Sequence, residues 1–160
     1  MFAALQAALD NQWRVFYDRP IPKSRRRVDF IATHARRGFL AIEVKGGMVH
    51  DKRGAFRQLI SKEGQRKRID PFGQLKLGLR DLYSAAGIAD DVRMPIHQAI
   101  WFPQIGQGGL RWQPSPHILT REMLDEAKLI ELVKVCLHNH LTPEQSAAVM
   151  RINQVLLGGM

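Results

Sequence analysis

The chain has 160 residues, 45% of them hydrophobic, and carries 24 Lys plus Arg against 15 Asp plus Glu, a formal net charge of +9. That length fits one ordinary domain with enough apolar material for a core. No stretch approaches the ~20 apolar residues of a membrane helix and no signal-peptide pattern is visible. With a single cysteine, Cys136, an internal disulfide is excluded and a reducing, cytoplasmic setting is expected.

Taken in chain order, Phe2, Leu5 and Leu9 fall at helical spacing and predict a short amphipathic helix ended by Asp10-Asn11. Trp13 to Tyr17 reads as a strand and Pro20-Ile21-Pro22 as a break. Two apolar runs follow, Val28-Asp29-Phe30-Ile31 and Phe39 to Val44. Between them lies the turn-like His34-Ala35-Arg36-Arg37-Gly38, with Gly38 available for a positive φ. Gly46-Gly47 releases the chain, and residues 55–61 and 66–69 predict a hairpin around Glu63-Gly64. Asp70 is a candidate N-cap with Pro71 at the first helical position. Phe72, Leu75, Leu79 and Leu82 give that helix its core stripe, and it stops near Gly87. Ile96 to Phe102 is a strand.

The glycine-rich Gly106-Gln107-Gly108-Gly109 has no helix after it and is given no phosphate-cradling role. Thr120 caps a predicted helix with Met123, Ala127, Ile130, Val133 and Leu137 inward. Cys136 sits among these apolar positions and reads as a buried thiol. Thr142, Pro143 and Gln145 form the pattern of a capping box and open a terminal helix. The expected whole is α/β, a mixed central sheet flanked by helices, with residues 1–140 as one domain and 141–160 as a helical tail.

The chemistry concentrates on Ile42-Glu43-Val44-Lys45. Side chains alternate along a strand, so Glu43 and Lys45 share a face. A three-residue loop, Ala35 to Arg37, pairs His34 with Gly38 and brings Asp29 directly opposite Glu43. Opposed residues have Cβ atoms roughly 4.5–5.5 Å apart, which suits two carboxylates on one hard cation. A two-residue loop pairs Asp29 with Val44 and sends it to the wrong face. The plainer reading of Glu43 and Lys45 is a simple ion pair on a half-exposed strand.

The excess charge is uneven. Residues 14–80 hold 18 basic and six acidic side chains, so the half carrying these acids attracts polyanions. Arg25, Arg26, Arg27, Arg36, Arg37, Lys52, Arg53, Arg66, Lys67 and Arg68 are the candidate phosphate contacts; solvated faces and strand-edge protection are the alternative. His34 and His50 read as ordinary turn or surface histidines. His138-Asn139-His140 is too short for a metal site and suits a helix end.

Several stretches together resemble the nuclease-related (NERD) domain of the PD-(D/E)XK nuclease superfamily. They are Trp13-Arg14-Val15-Phe16, the run Arg37 to Gly47, Asp70-Pro71-Phe72-Gly73-Gln74, Trp101-Phe102-Pro103 and Ile118-Leu119-Thr120-Arg121-Glu122. The resemblance spans roughly residues 2–138. It implies a restriction-endonuclease-like fold and metal-dependent phosphodiester hydrolysis of DNA, with RNA as the other nucleic acid to consider, in DNA processing or repair. It implies Mg²⁺, or Mn²⁺, held by Asp29, Glu43 and the Val44 carbonyl, with Lys45 and Gln74 as further catalytic residues. A homodimer and a helicase partner are expected by the same resemblance.

Two features depart from the family pattern. A further acid is expected just before the position of Phe2, and Met1 stands there. A tyrosine is expected four residues after Gln74, and Gly78 stands there. The tail Leu141-Thr142-Pro143-Glu144-Gln145 resembles the opening of a superfamily-one helicase, but the capping box accounts for it and no ATP binding is expected. A nucleic-acid-binding module of nuclease fold without catalysis is the competing expectation.

Overall fold

A computed structural model describes residues 12–52, 55–106, 118–124, 131 and 140–158. The expected N-terminal helix over Phe2, Leu5 and Leu9 lies outside them. So do Arg53, Gln107 to Gly109, Ala127, Ile130, Val133, Cys136, Leu137 and the pair His138-Asn139.

Five strands build one mixed sheet in the order β1-β2-β3-β7-β8. β1 (Arg14–Pro20), β2 (Arg27–His34) and β3 (Gly38–Val44) are consecutive and antiparallel. A small antiparallel sheet follows, made of β4 (Val49–Lys52), β5 (Ala55–Leu59) and β6 (Arg66–Ile69). Helix α1 (Pro71–Ala85) then carries the chain back to β7 (Ile96–Trp101), parallel to β3. Such a crossover is what parallel neighbours require. β8 (Ile118–Leu119) extends the sheet, a 3₁₀ turn spans Arg121–Leu124, and α2 (Pro143–Leu156) is the last described helix.

Local chemistry explains most of these boundaries. Asp70 accepts from Gly73 N at 3.0 Å with Pro71 next to it, and Gly87 past the far end adopts φ 63°. The αL region is where glycine ends helices at least cost. At α2 both halves of the capping box form: Gln145 N donates to Thr142 Oγ1 at 3.2 Å, and Thr142 N donates to Gln145 Oε1 at 2.9 Å. Leu75, Leu79 and Leu82 of α1 join Ile31, Phe39 and Ile100 of the sheet in one core, with Ala148, Ile152 and Leu156 of α2 added to it. A buried 2.7 Å hydrogen bond from Thr33 Oγ1 to Asn153 Oδ1 ties α2 to β2.

The other sheet face is buried as well, at Phe30, Leu40, Ile42 and Ala99. β3 therefore reads as an unbroken apolar run, as a strand covered on both sides does.

Three elements differ from expectation. β4 turns the expected hairpin into a three-stranded sheet. The break expected at Pro20 comes later, because Pro20 still pairs with Arg27 at the edge of the sheet, where a missing N–H is tolerated. Ile118-Leu119, just before the expected cap at Thr120, forms an unexpected strand, because Ile118 pairs with Ile100 and Leu119 with Trp101. Phe102 N also donates to the Leu119 carbonyl at 2.9 Å and Trp101 Nε1 to the Thr120 carbonyl at 3.0 Å. Partners seventeen or more residues away create this strand.

Candidate functional site

The β2–β3 turn closes with His34 opposite Gly38, and the ladder runs to Phe30 opposite Ile42. Asp29 and Glu43 are the next residues along the two strands, with Glu43 on the face of Phe39 and Ala41. The regular ladder ends there, because the Asp29 carboxylate accepts the Val44 N–H at 2.7 Å. A strand residue's carbonyl leaves on the same side as its N–H. The Val44 carbonyl is therefore directed to the gap between β2 and β3, where Asp29 sits. Lys45 N turns the other way, to the Trp101 carbonyl of β7 at 2.9 Å. The two acids thus sit at the carboxyl end of a parallel pair of strands, the usual place for ligands in α/β sheets.

Glu43 is buried, and its carboxylate meets the Lys45 ammonium at 2.7 Å. Burial still holds the Glu43 carboxyl above the usual range; Lys45 opposes this by its hydrogen bond, and the charge of Asp29 adds to it. One lysine does not offset the loss of water around this acid pair. The donors on hand are two carboxylate side chains and a backbone carbonyl, all hard oxygens. That set fits a small divalent cation that keeps part of its hydration shell. Among the described residues no group of three His, Cys, Asp or Glu is placed to hold a metal.

Gln74 is exposed in the second turn of α1, its N–H bonded to the Asp70 carbonyl at 3.0 Å. One turn later, a Cβ at Gly78 would stand 3.3 Å from Val28 Cγ2 and 3.6 Å from the Arg27 carbonyl. The glycine lets α1 close on the start of β2. Gly46-Gly47, the exit from the site, is held from two sides. Gln58 Nε2 donates to the Gly46 carbonyl at 2.7 Å, and Gly47 N donates to Gln104 Oε1.

The basic candidates separate into distinct groups. Arg26 pairs with Asp81 at 2.9 Å and Arg27 with Asp18 at 2.5 Å, so both are engaged within the protein, while Arg25 is exposed. Hydrogen bonds from Ser24 and then from Arg26 hold Asp81 below the usual carboxylate range. Arg36 and Arg37 are exposed in the far turn, five residues along β2 from Asp29, or about 17 Å in an extended strand. The structure does not bring them to the acids. Arg66, Lys67 and Arg68 are exposed on β6, and Lys52 closes β4.

His34 is a structural turn residue. Its Nδ1 accepts the Arg36 N–H at 3.1 Å, Nε2 contacts Gln12 at 3.0 Å, and Trp13 packs edge-on against its ring. Sequence reasoning did not single out Arg57, which stands between His50 and Arg68 in the small sheet. The available signal was the alternation of Phe56 inward with Arg57 outward.

A mixed sheet with flanking helices and an acid pair at a strand end is the arrangement of an α/β nuclease fold. The family model of the nuclease-related domain (NERD) matches residues 1–103, and the chain belongs to that family. Membership carries a nuclease-related function, interaction with nucleic acid and a general link to divalent metals. No curated protein and no solved structure matches the chain. Among the described residues no helix is long and apolar enough to cross a membrane.

Proposed function

We propose that the protein hydrolyses phosphodiester bonds of DNA in a divalent-metal-dependent reaction, in DNA processing or repair. The observation that carries this reading is the Asp29–Glu43–Lys45 cluster: a buried acid, a second acid whose carboxylate accepts the adjacent Val44 N–H at 2.7 Å, and a lysine 2.7 Å from the first. Asp29, Glu43 and the Val44 carbonyl would hold Mg²⁺, or Mn²⁺. When bound, that ion supplies a lowered pKa for water and neutralising charge for a phosphate.

The chain's own groups have distinct tasks. Glu43 fixes the Lys45 ammonium through a charge-assisted hydrogen bond, which keeps a long side chain in one orientation. Lys45, with its remaining donors, orients the attacking water and offers positive charge to the phosphate oxygens as they gain negative charge. Asp29 is itself fixed by the Val44 N–H, so the carboxylate pair is assembled before substrate arrives. Gln74 is assigned the edge of the site, where its amide both donates and accepts.

A binding module without hydrolysis is the second reading. It draws on the donor set itself, which among the described residues supplies two acids rather than three.

The test is cleavage of circular single- and double-stranded DNA with Mg²⁺, Mn²⁺ or EDTA, wild type beside Lys45→Ala. Metal-dependent nicking that disappears in the variant supports the nuclease. DNA retained in a salt-sensitive complex, uncut under every metal, supports the binding module. Equal cutting by both proteins moves the site elsewhere.

A further inference from the structure

The small sheet has two unlike faces. Val49, Phe56 and Ile69 turn inward; Val49 and Phe56 are buried, and Phe56 packs on Phe102 with ring centroids 5.2 Å apart. The outward positions follow from the register. His50, Arg57 and Arg68 form one row across all three strands. In the next row Leu59 pairs with Arg66 and donates its N–H to the Met48 carbonyl at 2.9 Å. Arg57, Arg66 and Arg68 are exposed, and Arg66 Nη1 lies 3.0 Å from His50 Nε2. No acid occupies either row.

Like charges directly opposite each other on a sheet destabilise it. A free-standing structural sheet has no reason to align Arg57 with Arg68, whereas a polyanion laid across them removes the repulsion. In the row of Leu59 and Arg66 lie two exposed apolar side chains, Met48 at 58% and Leu59 at 38%. Met48 is three residues from Lys45, so the apolar corner is the end of the sheet joined directly to the site strand. The other end of the sheet runs through Asp70 into α1 and Gln74.

Stacked duplex DNA offers phosphates to a cationic row but no apolar surface to Met48 and Leu59. Unpaired or splayed bases offer both. We propose that the outer face of β4–β6 is a docking platform for DNA with unpaired bases. Arg57, Arg66 and Arg68 hold backbone phosphates, and Met48 and Leu59 meet base faces. The platform deepens the proposed function by naming its substrate as single-stranded or junction DNA rather than blunt duplex, and its binding is independent of hydrolysis.

The experiment is fluorescence-anisotropy binding of the full chain in EDTA to a single-stranded oligonucleotide and to a blunt duplex of equal length, over a salt series. Wild type is expected to bind the single strand at least tenfold more tightly. Arg57→Gln/Arg68→Gln is expected to weaken binding and to flatten the single-strand slope of log K against log salt by roughly 1.4, the loss of two phosphate contacts. Arg57→Lys/Arg68→Lys, which keeps the charge, is expected to retain the slope and controls for folding. Met48→Ser/Leu59→Ser is expected to erase the single-strand preference while leaving the slope unchanged.

A double Gln variant with wild-type affinity and slope overturns the platform, as does equal binding of the duplex by wild type. Tighter binding of phosphatidylserine vesicles than of DNA overturns the nucleic-acid assignment. Because the assay contains no metal, failure to cleave DNA leaves this result intact, and loss of the platform leaves the cleavage test to stand or fall alone.

Discussion

The central sheet and the small sheet spend their charges in opposite ways. In β3 every residue from Gly38 to Glu43 is buried, and its one acid is held by a lysine and raised in pKa by the surroundings. In β4–β6 only one face is buried, and the other displays cations in register with no acid between them. The first arrangement fixes a few groups in one geometry, at the cost of desolvating them. The second leaves its groups hydrated and mobile, suited to a long flexible anion whose position varies. Gly46-Gly47 links the two sheets along the chain, and Phe56 on Phe102 links them in the core.

The contrast is sharpest for one residue type placed in both sheets. Leu40 is 1% exposed and Leu59 38%. Leu40→Ala is expected to cost about 2–5 kcal/mol in urea unfolding, through lost burial and the cavity left. Leu59→Ala is expected to stay within about 0.5 kcal/mol of wild type. Equal losses at both positions would show that Leu59 is packed as tightly as Leu40.

Next in size is the Lys45→Ala effect on cleavage, expected at about 10²–10³-fold, as for removal of a single transition-state donor. DNA affinity in EDTA is expected to stay within twofold, since the capture surface lies elsewhere. A parallel fall in affinity would merge the two regions into one. Thr142→Ala at the start of α2 is expected to lower stability by about 1 kcal/mol, measured by denaturant midpoint, with no change in DNA affinity.

The smallest effect concerns Asp81, whose carboxyl is held below its ordinary value of 3.8 by Ser24 and Arg26. A depressed folded-state pKa contributes stability above the unfolded value, and that contribution is lost as pH falls through the folded value. Asp81→Asn is therefore expected to be slightly less stable than wild type at neutral pH. The two proteins should converge as pH falls through the folded-state value, seen by comparing thermal midpoints across pH. A gap that persists at the acid end would point to packing rather than charge.

Much of the site was legible because its determinants are local. Ala35 to Arg37 set the register of the acids, and the caps at Asp70 and Thr142 announced both described helices. Leu75, Leu79 and Leu82 marked the buried stripe of α1. What stayed hidden depends on partners distant in sequence. Val49-His50-Asp51-Lys52 has too few residues to show a period, and it becomes a strand only because β5 pairs with it. Ile118-Leu119 is a strand only because β7 stands beside it. Nothing near Arg26 or Arg27 reveals that Asp81 and Asp18 engage them. Family resemblance led to Gln74, but the packing of Gly78 on Val28 emerged only from the fold.

The turn at Ala35–Arg37 has a consequence for how such a gene can vary. Its three side chains are exposed and tolerate substitution, so point mutation there has little to act on. Removal of a single codon, however, shifts the pairing by one and sends Asp29 to the opposite face from Glu43. Lineages that keep the acids together should drift freely in the spelling of this turn while its length changes only in steps of two.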